Sequence, residues 1–198
     1  PILEERGIPA VAFAVSDRVG GTNDWDRQCG AQTLDLLSAD GLQEAAARGV
    51  EIGSHTATHP QLPKVPPAQL ESELSGSASQ LESLGLPRPR AFAYPYGLWN
   101  PRLAKAVSDA GYELAFAVER GCVKACSNRH TLPRTAVHSD DTGRRLHLKL
   151  TTAGWPRSPR EALRMLTRRS RPEPLPAPQP EADLTRRQVS ERGRAYNS

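Results

Sequence analysis

Ser38-Ala-Asp-Gly-Leu-Gln-Glu-Ala-Ala-Ala-Arg-Gly49 runs straight into Val50-Glu-Ile-Gly-Ser54, and this junction decides the architecture. Ser38 is an N-cap residue, because its hydroxyl can accept from an unpaired first-turn N–H. Gly49 is a helix-stop residue, where the chain turns left-handed. A capped helix that empties directly into a short β-rich run is half of a strand–helix–strand unit. The same alternation repeats outward in both directions. Upstream, Pro1 to Gly7 reads as the last turns of a helix, and Ile8-Pro-Ala-Val-Ala-Phe-Ala-Val15 as a strand buried on both faces, since it barely alternates. Asp17 to Gln32 reads as loop. Downstream, Pro67 to Leu84 carries Leu70, Leu74, Leu81 and Leu84 at helical spacing and stops at Gly85. Phe92 to Tyr94 is a short strand. Asn100-Pro101 opens a helix that ends at Gly111. Glu113 to Val118 and Thr131 to Val137 are the next two strands, with Asp140 or Asp141 starting a helix after them. The expectation is an α/β fold of parallel strands joined by crossover helices, with its chemistry at the C-terminal strand ends. Those ends are the residues just after Ser54, Tyr94, Val118 and Val137. An opening helix also calls for a strand before it, so the chain is expected to lack at least one strand at its N-terminal side.

The 198 residues fit one domain with an appendage: 37% are hydrophobic and 24% charged, and mean hydropathy is −0.56. No apolar run is long enough to span a bilayer, so no transmembrane segment and no signal peptide are expected in the chain as given. Cys29, Cys122 and Cys126 are too few for a disulfide framework. The net charge of +4 is uneven. Residues 1–150 hold 16 Lys and Arg against 17 Asp and Glu, and residues 151–198 hold 10 against 5. The basic character therefore belongs to the C-terminal part, and a nucleic-acid partner is not expected. Domain boundaries follow: a folded domain over 1–150, a short helix within 151–169, and a Pro-rich, basic, disordered tail over 170–198. In that tail Arg171 to Pro180 has five prolines in alternate positions.

Two segments carry chemistry. In His55-Thr-Ala-Thr-His59-Pro60 two imidazoles lie four residues apart directly after a strand, and a tight turn would converge them on one divalent ion. Taken alone, two hydrogen-bonded histidines in an ordinary loop are the plainer reading of the pair. In Ala91-Phe-Ala-Tyr94-Pro95-Tyr96-Gly97 an apolar strand enters a stiff aromatic turn. Pro95 fixes one backbone angle and Gly97 permits an unusual one. Such a turn can aim a backbone N–H, and its rings suit a sugar; buried structural tyrosines are the plainer alternative.

In this order and separation the two segments resemble the polysaccharide deacetylase family, the NodB-homology carbohydrate esterases. Asp109-Ala-Gly-Tyr112 with Glu113-Leu-Ala-Phe-Ala117, and Ile2-Leu-Glu-Glu-Arg-Gly-Ile-Pro-Ala10, resemble further segments of that family. The resemblance covers about residues 1–150. It implies a distorted (β/α) barrel of about seven strands. It implies a divalent metal, zinc foremost with cobalt or nickel as alternatives, held by an Asp and two His that correspond to His55 and His59. It implies hydrolysis of N-acetyl groups on a polysaccharide or glycan, with a second Asp as general base and the Tyr96 backbone N–H at the oxyanion. The groove would be lined by Tyr94, Pro95, Tyr96, Gly97 and Trp99.

Three features depart from the family pattern. The Thr-Phe-Asp-Asp type motif that supplies both Asp residues is not in the chain, and Asp17, Asp24 and Asp26 do not replace it. The Arg expected two residues before Pro-Tyr-Gly is Ala93, for which Arg134 is the candidate substitute. The late Leu-x-x-His motif is replaced by His138, the candidate acid for the leaving amine. Impaired catalysis by this chain is therefore expected. A non-catalytic glycan-binding domain is the competing reading, and a truncated frame with no stable fold is a third. Cys122-x3-Cys126-x3-His130 reads as free thiols in a loop rather than a metal site. His147 reads as a surface residue. Trp25 and Trp99 each read either as a sugar platform or as packing.

Overall fold

The computed structural model describes residues 2–29, 32–119 and 121–152, with side chains omitted at 26, 28 and 29. Within that span four parallel strands form one sheet in the order β1 (Ala10–Ala14), β2 (Val50–Ser54), β3 (Ala91–Ala93) and β4 (Leu114–Phe116). The registers set Ala10 against Val50, Ser54 against Phe92, and Ala91 against Leu114. Crossover helices α2 (Ala39–Ala47), α3 (Pro67–Glu71) continued by α4 (Ser77–Ser83), and α5 (Pro101–Asp109) separate the strands, after the short α1 (Ile2–Glu5). This is the parallel α/β architecture expected from the alternation, with every strand C-terminus on the same edge.

The local signals act as read. The Ser38 hydroxyl accepts from the Gly41 N–H, and the Asn100 side chain accepts from the Leu103 N–H with Pro101 at the first helical position. Two clusters fill the core. Leu62, Leu70, Leu74, Phe92, Tyr94, Leu103, Val107 and Tyr112 pack on one side. Leu42, Ile52, Leu81 and Leu86 pack on the other. Burying a side chain of this size contributes about 1.5–3 kcal/mol.

Several expectations are corrected. β1 is not buried on both faces: Val11 is 40% exposed, because β1 ends the described sheet and only β2 lies beside it. Thr131–Val137 is not a strand. Leu132 alone bridges to Phe116: the next N–H on that side, that of Arg134, reaches the Glu119 carbonyl instead of Ala117, whose carbonyl accepts from the Arg134 side chain, so the register is lost. Pro67–Leu84 is one helical segment with a π turn at Ser72–Gly76 inside it. The last helix, α6 (Gly143–Thr151), begins after both aspartates, with Thr142 as its cap, because Asp141 already accepts from the His138 N–H. The sheet has four strands among the described residues, against about seven for the expected barrel. Beyond residue 152, the segment in which a short helix is expected (151–169) and that in which a tail is expected (170–198) lie outside the described residues. No described helix is long and apolar enough to cross a membrane.

Candidate active site

The site stands where β2 and β3 end. Beyond Ser54 the chain makes a tight turn through His55–Pro60, and backbone strain is concentrated there. Among the described residues, the non-glycine residues with positive φ are Thr56 (70°), His59 (62°) and Tyr96 (56°). Each costs of order 1–2 kcal/mol, so surrounding bonds must fix it. They do. The buried Thr56 hydroxyl accepts from the His59 backbone N–H at 3.0 Å. The carbonyls of Thr56 and Ala57 accept from the Ser16 and Asp17 N–H groups at 3.1 and 3.0 Å. The Glu73 carboxylate accepts from the N–H groups of Ala57 and Thr58.

The turn brings the two imidazoles together. His55 Nδ1 is 2.7 Å from the Ala93 carbonyl oxygen, so that nitrogen carries the hydrogen and Nε2 keeps its lone pair. His59 Nε2 lies 3.2 Å from His55 Nε2. Two imidazoles on one tetrahedral ion at about 2.0–2.1 Å would hold their nitrogens about 3.3 Å apart. The same separation is that of a hydrogen bond from His59 Nε2 to His55 Nε2, and it equally admits a shared divalent cation in place of that hydrogen, for which the Ala93 carbonyl would be the outer partner. Burial, chiefly, pushes the His55 pKa down to about 4, against the Ala93 bond that raises it; the neighbouring His59 and Arg134 charges add to the lowering. His55 is thus neutral, the form that ligates. Among the described residues no third His, Cys, Asp or Glu completes a metal cluster.

The aromatic turn closes one side. Tyr96 sits at positive φ, with its ring 4.8 Å from that of His59 at 68°, and is 42% exposed. Gly97 also has positive φ, and a Cβ there would lie 2.1 Å from Val118 Cγ2, so both the angle and the contact require glycine. Trp25, in the turn Asp24–Cys29, stacks on the other side of His59 at 4.6 Å and 27°. Of its two sequence readings, the structure gives Trp25 a place in the site. Trp99 instead packs against the core cluster around Leu62 and Phe92.

The remaining candidates separate. Arg134 is at the margin of the site: its Nε–H donates to the Ala117 carbonyl at 2.8 Å, its guanidinium lies 5.8 Å from the Phe13 ring centre, and burial lowers its pKa. Phe13 in turn faces His55 with ring centres 6.5 Å apart. Tyr94 does not line a groove; it is fully buried, and its hydroxyl donates to the His130 carbonyl at 2.9 Å. Pro95 and Gly97 are buried and shape the turn. The expected acid, His138, is exposed, with its backbone N–H given to Asp141 Oδ2 at 2.8 Å. It is not one of the rings packed on the histidine pair, because the segment that carries it forms no strand. Cys122 and Cys126 are exposed free thiols, and His130 Nε2–H donates to the Tyr112 carbonyl at 2.9 Å. His147 is exposed on α6. Glu73 was missed by the sequence reading. Its signal was its place between Leu70 and Leu74, on the apolar face of the helix.

The sequence pattern of the polysaccharide deacetylase family matches residues 1–115. The poly-beta-1,6-N-acetyl-D-glucosamine N-deacetylase of Staphylococcus aureus (strain MSSA476) is 28% identical over 149 residues, 71% of this chain and 49% of that protein. The chain spans about half the length of the curated relatives it matches. Among solved structures, the Streptococcus pyogenes deacetylase PplD in complex with acetate superposes with a TM-score of 0.62 at 21% identity, over 75% of this chain and 62% of that one. A polysaccharide deacetylase from Bacillus cereus gives 0.59 at 24% identity, over 72% and 42%. These two likenesses concern the fold. With more than half its length matching the family pattern, and the histidine turn and the Pro-Tyr-Gly turn meeting at one edge of a parallel sheet, the chain belongs to the polysaccharide deacetylase family.

Proposed function

We propose that His55 and His59 together hold a divalent cation, zinc foremost with cobalt or nickel as alternatives, in the hydrolysis of N-acetyl groups on a polysaccharide. The observation that carries this is the 3.2 Å approach of the two Nε2 atoms beside the Tyr96 turn. The chemistry such an ion supplies is acidification of a water and polarisation of the acetyl carbonyl.

The chain's own residues do the rest of what can be derived. His55 presents a neutral Nε2 because its Nδ1–H is committed to Ala93 and its ring is buried. Thr56 and the strained turn fix the angle at which His59 meets it. The Tyr96 backbone N–H is the donor for the oxygen on which negative charge develops, a service that depends on a preset direction, which the Pro95–Gly97 turn provides. The half-exposed Tyr96 ring offers a stacking face to a sugar. Arg134 adds positive charge near His55. The substrate class is an N-acetylated glycan, in keeping with the named activity of the Staphylococcus aureus relative. Two neutral ligands leave an ion short of charge, so this chain by itself is expected to have little activity.

The test is acetate release from chitin oligomers, peptidoglycan and poly-beta-1,6-N-acetylglucosamine, with zinc supplied, for the protein and for His55→Ala. Loss of acetate release and of zinc uptake together in the variant supports the reading. Undiminished release in His55→Ala removes it. Glycan binding with zinc uptake by neither protein would favour a binding domain instead.

A further inference from the structure

We propose that Glu73 is a positioning residue that sets the metal-binding geometry of the histidine turn; this rests on the metal reading given above. Its carboxylate is buried under the turn and is fully used by it. Glu73 Oε2 accepts from the Ala57 N–H at 3.1 Å and from the Thr58 N–H at 3.0 Å, and Oε1 accepts from the Thr58 hydroxyl at 2.7 Å. All three bonds go to the two residues between Thr56 and His59. Glu73 itself is 8% exposed, unusual for a carboxylate in a helix with two other glutamates, Glu71 and Glu82, on its solvent side.

The helix is modified where Glu73 lies. Ser72–Gly76 forms a π turn between α3 and α4, with one residue more per turn than its flanks. Glu73 and Leu74 are both buried within it. Ser77, just after the π turn, bonds through its hydroxyl to that of Ser54, the last residue of β2, at 2.9 Å. The helix is therefore pinned to the strand end at Ser54 and to the turn at residues 57 and 58, bracketing His55 from both sides.

The physical consequence concerns direction rather than attachment. The Ala57 and Thr58 N–H groups point to Glu73 within a turn whose flanking residues, Thr56 and His59, adopt positive φ. Without an acceptor, one N–H would be left buried and the turn would relax toward ordinary backbone angles. The two imidazoles would then lose their 3.2 Å approach while the sheet and both core clusters stayed in place. Groups bonded directly to a metal ligand change affinity by about 10–100-fold, and Glu73, which bonds Ala57 and Thr58 between the histidines and neither ring, acts on the same direction of the ligands through the turn.

The experiment is a zinc titration of the 198-residue chain, followed on its histidine ring resonances, for wild type, Glu73→Ala, Glu73→Gln and Leu86→Ala. Leu86 lies in the other core cluster and serves as a control for general loss of stability. Glu73→Ala is expected to bind zinc about 10–100-fold more weakly, Glu73→Gln to recover most of that loss through its carbonyl oxygen, and Leu86→Ala to bind as wild type despite a lower Tm. Equal zinc affinity in wild type and Glu73→Ala, or an equal loss in Leu86→Ala, overturns the proposal. If wild type takes up no zinc, the metal reading fails, and the ring spectra still decide the role of Glu73. Loss of the His59–Tyr96 ring contact in Glu73→Ala, restored in Glu73→Gln, supports it. An unchanged contact overturns it.

Discussion

His55 Nδ1 lies 2.7 Å from the carbonyl oxygen of Ala93, a bond from the end of β2 to the last residue of β3. Ala93 immediately precedes the Tyr94–Gly97 turn, so one hydrogen bond ties the histidine segment to the aromatic segment. It also selects the ring tautomer that leaves Nε2 free of hydrogen and facing His59.

The first prediction concerns pH and the metal-free chain. Burial holds the folded-state pKa of His55 near 4, below its ordinary value of 6.5. The unfolded chain therefore binds the proton more readily. The contribution of His55 to stability is full above pH 6.5 and is lost as pH falls from 6.5 toward 4. The loss amounts to about 3 kcal/mol. Urea denaturation of wild type and His55→Asn between pH 4 and 7 checks this. A wild-type slope that persists unchanged in His55→Asn would assign the effect to other groups.

A second prediction isolates the Thr56 hydroxyl. Thr56→Val keeps the shape but leaves the His59 N–H without its acceptor, which costs about 1–3 kcal/mol. Thr56→Ser keeps the hydroxyl and loses one methyl, worth about 1 kcal/mol. Val is expected to be the more damaging of the two in chemical denaturation and the only one to disturb the His59 ring resonances. Equal behaviour would mean that the hydroxyl bond contributes nothing.

Glycine is expected to be indispensable at 97 and much less so at 111. Both have positive φ, but a Cβ at Gly111 meets nothing within 4 Å, whereas one at Gly97 collides with Val118. Gly111→Ala should cost about 1–2 kcal/mol for the backbone angle alone. Gly97→Ala adds an overpacking cost of about 1–3 kcal/mol. Thermal melts of the two variants compare them directly, and a Gly97→Ala protein as stable as Gly111→Ala would contradict the geometry.

Tyr94 separates a buried support from a substrate contact. Tyr94→Phe removes one hydroxyl bond to the His130 carbonyl, at a cost of about 1 kcal/mol. Where acetate release is measurable, its KM should not move. Tyr96→Ala, which deletes the half-exposed ring beside His59, should raise KM. A raised KM in Tyr94→Phe would return that residue to the groove.

Sequence and structure divide this protein along a physical line. Helix caps at Ser38 and Asn100, stops at Gly49, Gly85 and Gly111, and the alternation of strand with helix were all legible. Each is set by groups within about four residues of one another in the chain. The histidine pair and the Pro-Tyr-Gly turn were legible for the same reason. Reading failed where an outcome depended on distant neighbours. The apolar run of β1 looked doubly buried, but exposure at Val11 depends on what lies beside the sheet's edge. Thr131–Val137 looked extended enough for a strand, yet a strand exists only where a partner's ladder can continue, and beyond Leu132 the Arg134 N–H bonds out of register to Glu119. The leucine spacing of Pro67–Leu84 does not say what Glu73 faces, and Trp25 by itself reads either as a sugar platform or as packing. Residues 25, 55, 59, 73, 96 and 134 come from five separate segments, His55 and His59 sharing one, and the meeting of those segments is fixed by strand register and core packing. Local chemistry therefore determined which segments were strands, helices and rigid turns, whereas only the packed sheet decided which side chains face one another, because convergence across 100 residues is a property of the fold and of no single stretch of chain.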